Sequence, residues 1–395
     1  MQSVAAALRG VLDRVPILEA QTIALDDARG RVLASDVVAR RALPGFDNSA
    51  MDGYAARSCE LPATLPIAGV AAAGEPYHQP IPDRHVVRIF TGAVMPPELD
   101  TVVIQEDVAA VGDRVALPAA PPGDNIRRTG EDVAIGDLVV RAGTRLGAWD
   151  LGVLAALGVE PVAVVRAPRV ALIATGDELV GVATVPKPGQ LVDSSIHALA
   201  ALVSEAGGVP HRLGIARDDV AALADLIGAA LAYDVVITTG GVSVGDRDHV
   251  HAAFARVGVV LEVSKVAMRP GKPFAFGVRG TTPVFGLPGN PVSTVVAFEL
   301  FVRPALLAMQ RARVVERPRA LVRLAGGYRK TSGRAHYLRA RVVREGEHLI
   351  AHPHANQGSA MLSSLVGCTA LVELAAELTE TAPAAVVPAI LLEAA

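Results

Sequence analysis

Cysteine, lysine and aromatic side chains are scarce in this chain, and each shortage narrows what it can be. Of 395 residues, two are cysteine, one is tryptophan and 4% are aromatic. Cys59 and Cys368 lie far apart and match no zinc or redox spacing, which removes a disulfide framework and fits a reducing compartment. An excess of one charge is also lacking: the net charge is −3 and the isoelectric point about 6.4, so no general basic field exists for nucleic acid. Unbroken hydrophobic runs are missing too, despite a mean hydropathy of +0.39. Residues 280–298 carry no charge but hold Pro283, Pro288 and Pro291 with three glycines, so no continuous spanning helix is expected there. Residues 348–372 are uncharged as well, yet contain three histidines, Asn356, Gln357 and several serines. Arg9, Asp13 and Arg14 interrupt the first apolar stretch, which leaves no visible secretory signal. The expectation is a soluble, cytoplasmic protein with neither membrane nor nucleic acid as partner.

Apolar residues, by contrast, make up 51% of the chain, and 37 glycines and 27 prolines punctuate it throughout. That is enough for several cores, and at roughly 150 residues per domain the length implies two to four domains. Residues 169–310 are the most legible. An apolar run from Arg169 to Ala174 ends in Thr175-Gly176-Asp177-Glu178. A helical pattern follows, with Asp193 or Ser194 as N-cap and Ala198, Leu199, Leu202 and Val203 on one face. Next come an extended piece near Leu213–Ile215, a helix from Asp218-Asp219, a strand from Val235 to Thr238, a glycine-rich turn, and a helix from about Asp248. This alternation predicts an α/β domain built on a parallel sheet, with ligands bound beyond the carboxyl ends of its strands.

The flanks read differently. Residues 1–38 suggest a helix, a turn at Pro16 and a second helix from Leu25 to Asp36. Residues 39–135 are proline-rich with short alternating runs, which predicts a small β-rich domain. Residues 136–166 hold turn glycines and an apolar helix from Trp149 to Leu157; packing back on the N-terminal helices would make the β-rich domain an insertion. From about 317 onward alternation returns, consistent with a small β-barrel. The expected division is therefore 1–38 with 136–166, then 39–135, 167–316 and 317–395.

Several constellations point to an anionic ligand. The turn Gly240-Gly241-Val242-Ser243-Val244-Gly245 follows a strand and opens a helix, so its backbone N–H groups can approach an anion; an ordinary tight turn uses glycine the same way. A second loop runs through Pro288, Gly289, Asn290 and Pro291, with proline at the first helical position and Asn290 able to cap; a well-capped helix start with no ligand reads the same. Between them lie Lys265, Arg269 and Lys272. Lys265 and Lys272 are two of only four lysines, in a chain that otherwise uses arginine. Asp177, Glu178, Asp218, Asp246 and Asp248 border the same strand ends. Carboxylates beside an anion cradle repel the ligand unless a cation intervenes, which argues for Mg²⁺; helix N-terminal charge compensation accounts for Asp218 and Asp248 without one. His352 and His354 lack a third ligand in the sequence, so no transition-metal site is expected.

Eight segments run in order from residue 48 to 361: NSAMDGYA (48–55), IFTGA (89–93), NIRRTGEDV (125–133), ATGDEL (174–179), TTGGVSVGDRDHV (238–250), PGKPFAFG (270–277), FGLPGNPVS (285–293) and NQGSAM (356–361). In these the chain resembles the molybdopterin molybdenumtransferase family, the MoeA proteins and the gephyrin E domain. The resemblance implies an elongated homodimer with a dimerisation domain, an inserted β-rich domain, a doubly wound, MogA-like molybdopterin-binding domain and a C-terminal β-barrel. It implies that molybdate is inserted into adenylylated molybdopterin in a Mg²⁺-dependent step, releasing AMP and molybdenum cofactor, in a cleft between subunits. Molybdopterin adenylyltransferase and recipient molybdoenzymes are the further partners it suggests. Carried over by motif, Asp52, Thr91 and Asp132 would come from the inserted domain. Glu178, Asp218, Asp248, Lys265, Arg269 and Lys272 would come from the sheet domain, with Gly240, Gly241, Ser243, Gly245, Pro288, Asn290 and Pro291 in its loops, and Arg339 and Ser359 would approach from the last domain. Asp52, Glu178, Asp248 and Lys265 are the catalytic candidates, and Glu178, Asp248 and Asp218 the metal candidates. Arg269 stands where the family's K-x-x-x-K pattern has its second lysine, so a planar donor replaces a point charge there. Two alternatives stay open: an adenylyltransferase, which the sheet domain alone also resembles, and a non-catalytic binding or scaffold protein.

Overall fold

The computed structural model describes residues 1–242 and 249–393. Its centre is a six-stranded mixed sheet. Strands β1 (Arg169–Thr175), β2 (Val209–Ala216), β3 (Val235–Thr239), β4 (Val260–Val263), β5 (Ala275–Arg279) and β6 (Thr282–Leu287) lie in the order β2-β1-β3-β6-β5-β4. The pairings β2–β1–β3–β6 are parallel, while β6–β5 and β5–β4 are antiparallel. The sheet is thus not purely parallel. The residues that looked like one uncharged run from 280 are a hairpin strand, entered through Gly280 at φ 60°, followed by a helix start at Pro291.

Alternation along β1 shows why both faces are covered. Val170, Leu172 and Ala174 join a core with helix Ser195–Glu205 and the long helix from Pro291, whereas Ala171 and Ile173 join one with helices Val220–Ala230 and His249–Arg256. A strand buried on both faces must be apolar at nearly every position, as this one is after Arg169. The helix Pro291–Met309 passes the length and composition test for a membrane span, yet 83% of its apolar window is buried inside the fold. A π-turn over Phe298–Val302 places Glu299 in the core, where Arg317 grips it through Nε and Nη2 at 2.9 and 3.1 Å.

The N-terminal residues depart from the expectation. Helix Val4–Leu12 packs into the core of the sheet domain, and Gln2 bridges to Val266. The predicted helix over 25–36 is absent: only a 3₁₀ turn, Leu25–Asp27, forms before Gly30 turns at φ 76°. Val32–Leu33 then pairs with Val164–Val165, and Ala20–Ile23 pairs with the same strand on its other edge. Residues 136–165 therefore return to strands, not to a helix pair. Helix Ala148–Ala156 forms as the sequence suggests. Between these segments, residues 53–117 build a separate six-stranded sheet with its own cores around Ile89 and Leu65.

After Arg317 the strands β7 (Arg319–Leu324), β8 (Ala335–Glu345), β9 (His348–Pro353), β10 (Ala370–Leu374) and β11 (Val386–Leu391) pair as β8-β9-β7-β11-β10, and β10 pairs again with β8. Five strands thus close on themselves, which removes both edges. Met268–Arg269, from the sheet domain, adds in parallel to the start of β8.

Candidate active site at the rim of the sheet

Two adjoining cavities open at the carboxyl ends of β1, β3 and β6. The first, about 710 Å³, is lined by Gly176, Glu178, Asp193, Asp218, Gly240, Gly241, His249 and Pro291 among others. The second, about 450 Å³, is lined by Arg269, Lys272, Pro288, Ser293, Arg334, Gln357 and Ser359. Val242, Gly289 and Asn290 border both. One lobe is therefore acidic and the other cationic, with the second glycine loop as their common wall.

The glycines are fixed by geometry. Gly240 has φ 91°, and a Cβ there would stand 2.3 Å from the Thr175 carbonyl oxygen. Gly241 has φ 65° and would meet Thr175 and Val250 side chains at 2.9 and 3.0 Å. A Cβ on Gly289 would come within 3.3 Å of Gly240 Cα, so the two loops touch only because both lack side chains. Asn290 does not cap its helix through its side chain. Ser359 takes that role from the barrel: its carbonyl accepts the Val292 N–H at 3.2 Å, while Asn290 Nδ2 donates to its hydroxyl at 3.0 Å. The first-turn donor at Val292 is thereby spent on the barrel and is not free for a ligand.

Among the acids, Asp177 accepts the backbone N–H of Asp218 at 3.3 Å and so orients that turn. Glu178 and Asp218 form no ion pair with a described residue, although both line the acidic lobe. Asp193 is buried and accepts the Ile196 N–H at 3.1 Å, serving as helix cap and cavity wall at once. Among the described residues no group of three or more His, Cys, Asp or Glu could hold a metal ion. Two hard carboxylates without a cationic partner nevertheless suit Mg²⁺, which usually takes one or two carboxylates and completes its shell with water and ligand phosphate. Ser243, Gly245, Asp246 and Asp248 lie outside the described residues.

Three expectations need revision. Arg339 does not face a ligand; it is 1% exposed. Its Nε donates to Ser364 Oγ at 3.0 Å, and its Nη atoms donate to the carbonyls of Asn356, Gln357 and Gly358 at 3.0–3.2 Å. Its fork is spent on holding the loop that carries Ser359. Lys265 is exposed and lines neither lobe; its carbonyl accepts the Gln2 N–H, so the chain turns away there before Arg269 enters the cationic lobe. Asp52, Thr91 and Asp132 stand on the β-rich domain and line neither cavity of this chain. Asp52 and Thr91 do meet each other: the Thr91 N–H and hydroxyl donate to Asp52 Oδ1 at 2.8 and 2.7 Å. Those two donors, the backbone one foremost, hold the Asp52 carboxyl below the usual range. Asp132 is exposed. The neighbouring Asp47 is pulled down to about 2 by the Thr129 N–H and Arg128, so the 125–133 motif is anchored by an acid the sequence had not singled out.

Arg334 and His249 also line the lobes, the first the cationic one and the second the acidic one. Arg334 belongs to a Ser-Gly-Arg turn in the barrel that only the docking of Met268–Arg269 brings to the cavity. His249 follows Asp248 directly, and its place at the helix start was the available signal.

An α/β sheet with an anion-ready rim, an appended barrel and a β-rich module defines a multidomain protein that handles an anionic ligand at its strand ends. Residues 2–158 match the MoeA N-terminal region (domain I and II), residues 171–308 the probable molybdopterin-binding domain, and residues 322–392 the MoeA C-terminal region (domain IV). A molybdopterin molybdenumtransferase of Nostoc sp. is 40% identical, covering 78% of this chain and 74% of that protein. One from Haemophilus influenzae is 36% identical over 93% of each. The crystal structure of a molybdopterin biosynthesis MoeA protein from Pyrococcus horikoshii OT3 superposes with a TM-score of 0.86 at 29% identity, covering 99% of this chain and 100% of that one. The chain belongs to the molybdopterin molybdenumtransferase family.

Proposed function

We propose that this protein inserts molybdenum, taken as molybdate, into adenylylated molybdopterin and releases AMP with the finished cofactor. The observation that carries the reading is the pair of joined lobes at the sheet rim, one acidic and one cationic, in a chain of this family. Molybdate and the phosphoanhydride of the substrate are both anions. Arg269, Lys272 and the turns at Gly241 and Gly289 supply donors to them, with the Gly240 N–H held by the Leu287 carbonyl, while Ser359, Pro288, Asn290 and Pro291 shape the wall between. Glu178 and Asp218 would hold Mg²⁺, whose charge, when bound, offsets that of the phosphates. Around it the chain's own groups orient the nucleotide: Asp177 fixes the Asp218 turn and Asp193 fixes the helix behind it. The family matches at both ends of the chain favour insertion over adenylylation, because a lone sheet domain would lack those ends.

The reading includes a homodimer whose cleft is shared, with Asp52, Thr91 and Asp132 of one subunit facing the sheet rim of the other. An apolar surface supports it: Trp149 is 90% exposed, and Gly152, Val153 and Ala156 follow it along the outer face of helix Ala148–Ala156. Val38 and Leu138, partners on a nearby strand pair, are exposed too. The adenylylated pterin would come from molybdopterin adenylyltransferase and the product would pass to recipient molybdoenzymes. Two free cysteines suit the cytoplasm as the setting. The deciding experiment supplies adenylylated molybdopterin, molybdate and Mg²⁺ and follows AMP. Molybdate-dependent release supports insertion, and AMP-pterin formation from ATP and metal-free pterin would refute it.

A further inference from the structure

At the opposite end of the sheet lies a pocket of about 470 Å³ where residues 19–31, the connector at 166 and the start of β1 meet. Arg31, Arg166, Arg169, Gln21 and Glu19 line it. Arg169 opens β1, whose last residue, Thr175, lines the acidic lobe, so the two sites stand about 20 Å apart along one strand at ~3.3 Å per residue.

The three guanidinium groups are unequally satisfied. Arg166 is fully engaged: it pairs with Asp234 through two bonds of 2.6 and 2.8 Å and also donates to Glu19. Arg169 shares Asp234 at 3.5 Å, donates to the Ala232 carbonyl and lies over the Tyr233 ring, which leaves donors unused. Arg31 has no carboxylate partner among the described residues; its one hydrogen bond goes from Nη2 to the Val165 carbonyl at 3.1 Å. Its Nε is buried without an acceptor among the described residues, and burial pulls its pKa below the usual value. A half-buried cation with one neutral acceptor is costly unless an anion completes its surroundings. Three guanidiniums against two carboxylates leave an excess positive charge beside the uncharged Gln21 amide.

We propose that this junction pocket is a second oxyanion site, separate from the rim, which takes a small tetrahedral dianion between Arg31 and Arg169. Planar forks with free donors favour such a ligand over a halide or a neutral polyol. Inorganic phosphate and molybdate share the required chemistry, and Gln21 adds a neutral donor that tolerates either. The ligand would bridge residue 31 of the N-terminal segment to residue 169 of the sheet domain.

The test uses the full chain carrying Arg269→Gln and Lys272→Gln, which weakens the rim lobe, and titrates inorganic phosphate and molybdate separately by calorimetry. Saturable binding of either anion that weakens at least tenfold on adding Arg169→Gln, and likewise on adding Arg31→Gln, supports the site. The tighter anion identifies the physiological class. Arg169 stands at the exposed end of its strand, so its variant keeps the test readable should loss of the Arg31 bond to Val165 disturb folding. Absence of saturable binding in the rim variant, or binding that neither substitution changes, overturns it. Because AMP release is not the readout, failure here leaves the proposed reaction standing.

Discussion

Lowering the pH should loosen the barrel through a single histidine. His336 is 1% exposed, its Nε2 has no hydrogen-bond partner among the described residues, and it pairs in register with Arg269 of the cationic lobe. Burial, and then the charges of Lys330, Arg269 and Arg334, push its pKa from 6.5 down to about 4. The neutral ring is the folded form, so between those values the unfolded chain binds the extra proton. Stability is therefore fully present above pH 6.5 and is lost as the pH falls toward 4. With these two pKa values the loss between pH 7 and pH 5 comes to about 2 kcal/mol, and below pH 4 it reaches about 3 kcal/mol. The assay is hydrogen exchange in β8 during urea titrations at pH 7 and pH 5, on the wild type and on His336→Phe. The variant keeps an aromatic ring beside Tyr328 and cannot titrate. Its stability should change about 2 kcal/mol less between the two pH values than that of the wild type. Equal losses in both proteins would refute the assignment, since every other histidine is common to the pair.

Arg339→Met should cost about 3 kcal/mol, because three carbonyls lose their buried donor, and it should expose the 356–359 loop to proteolysis. Arg339→Lys should rescue little, as an ammonium cannot reproduce the fork. Gly240→Ala, with a Cβ 2.3 Å from the Thr175 carbonyl oxygen, should lose at least about 2 kcal/mol in denaturant midpoint and weaken nucleotide binding together. Asp52→Ala should fold normally and bind pterin while AMP release falls about a hundredfold or more. Mixing dissociated Asp52→Ala and Lys272→Ala subunits should restore roughly a quarter of wild-type turnover, since half the dimers regain one intact shared cleft. No recovery on mixing would confine the cleft to one chain.

What could be read from the sequence depended on how local each cause is. The strand from Arg169, its acidic turn and the glycine loop at 240 were legible because burial on both faces and positive φ leave their mark on adjacent residues. The segment 25–36 misled, since its apolar spacing fits a helix while its true partner, the strand Val162–Val165, lies some 130 residues onward. Arg339 was placed at the ligand by the resemblance alone. Nothing beside it in the chain reveals that Ser364 and three carbonyls from residues 356–358 surround it. The cationic lobe is a tertiary product throughout: Arg269 and Lys272 come from one module, and Arg334, Gln357 and Ser359 from another.

The docking of Met268–Arg269 onto the first residues of the barrel has a consequence for how such a protein can be shortened. A fragment ending near residue 316 would leave that two-residue strand with an open edge, strip the Ser359 carbonyl from the helix at Val292 and remove Arg334, one of the three cations of the basic wall. The barrel is thus no detachable ornament. Trimming it away would yield a sheet that still looks complete but has lost one side of its grip.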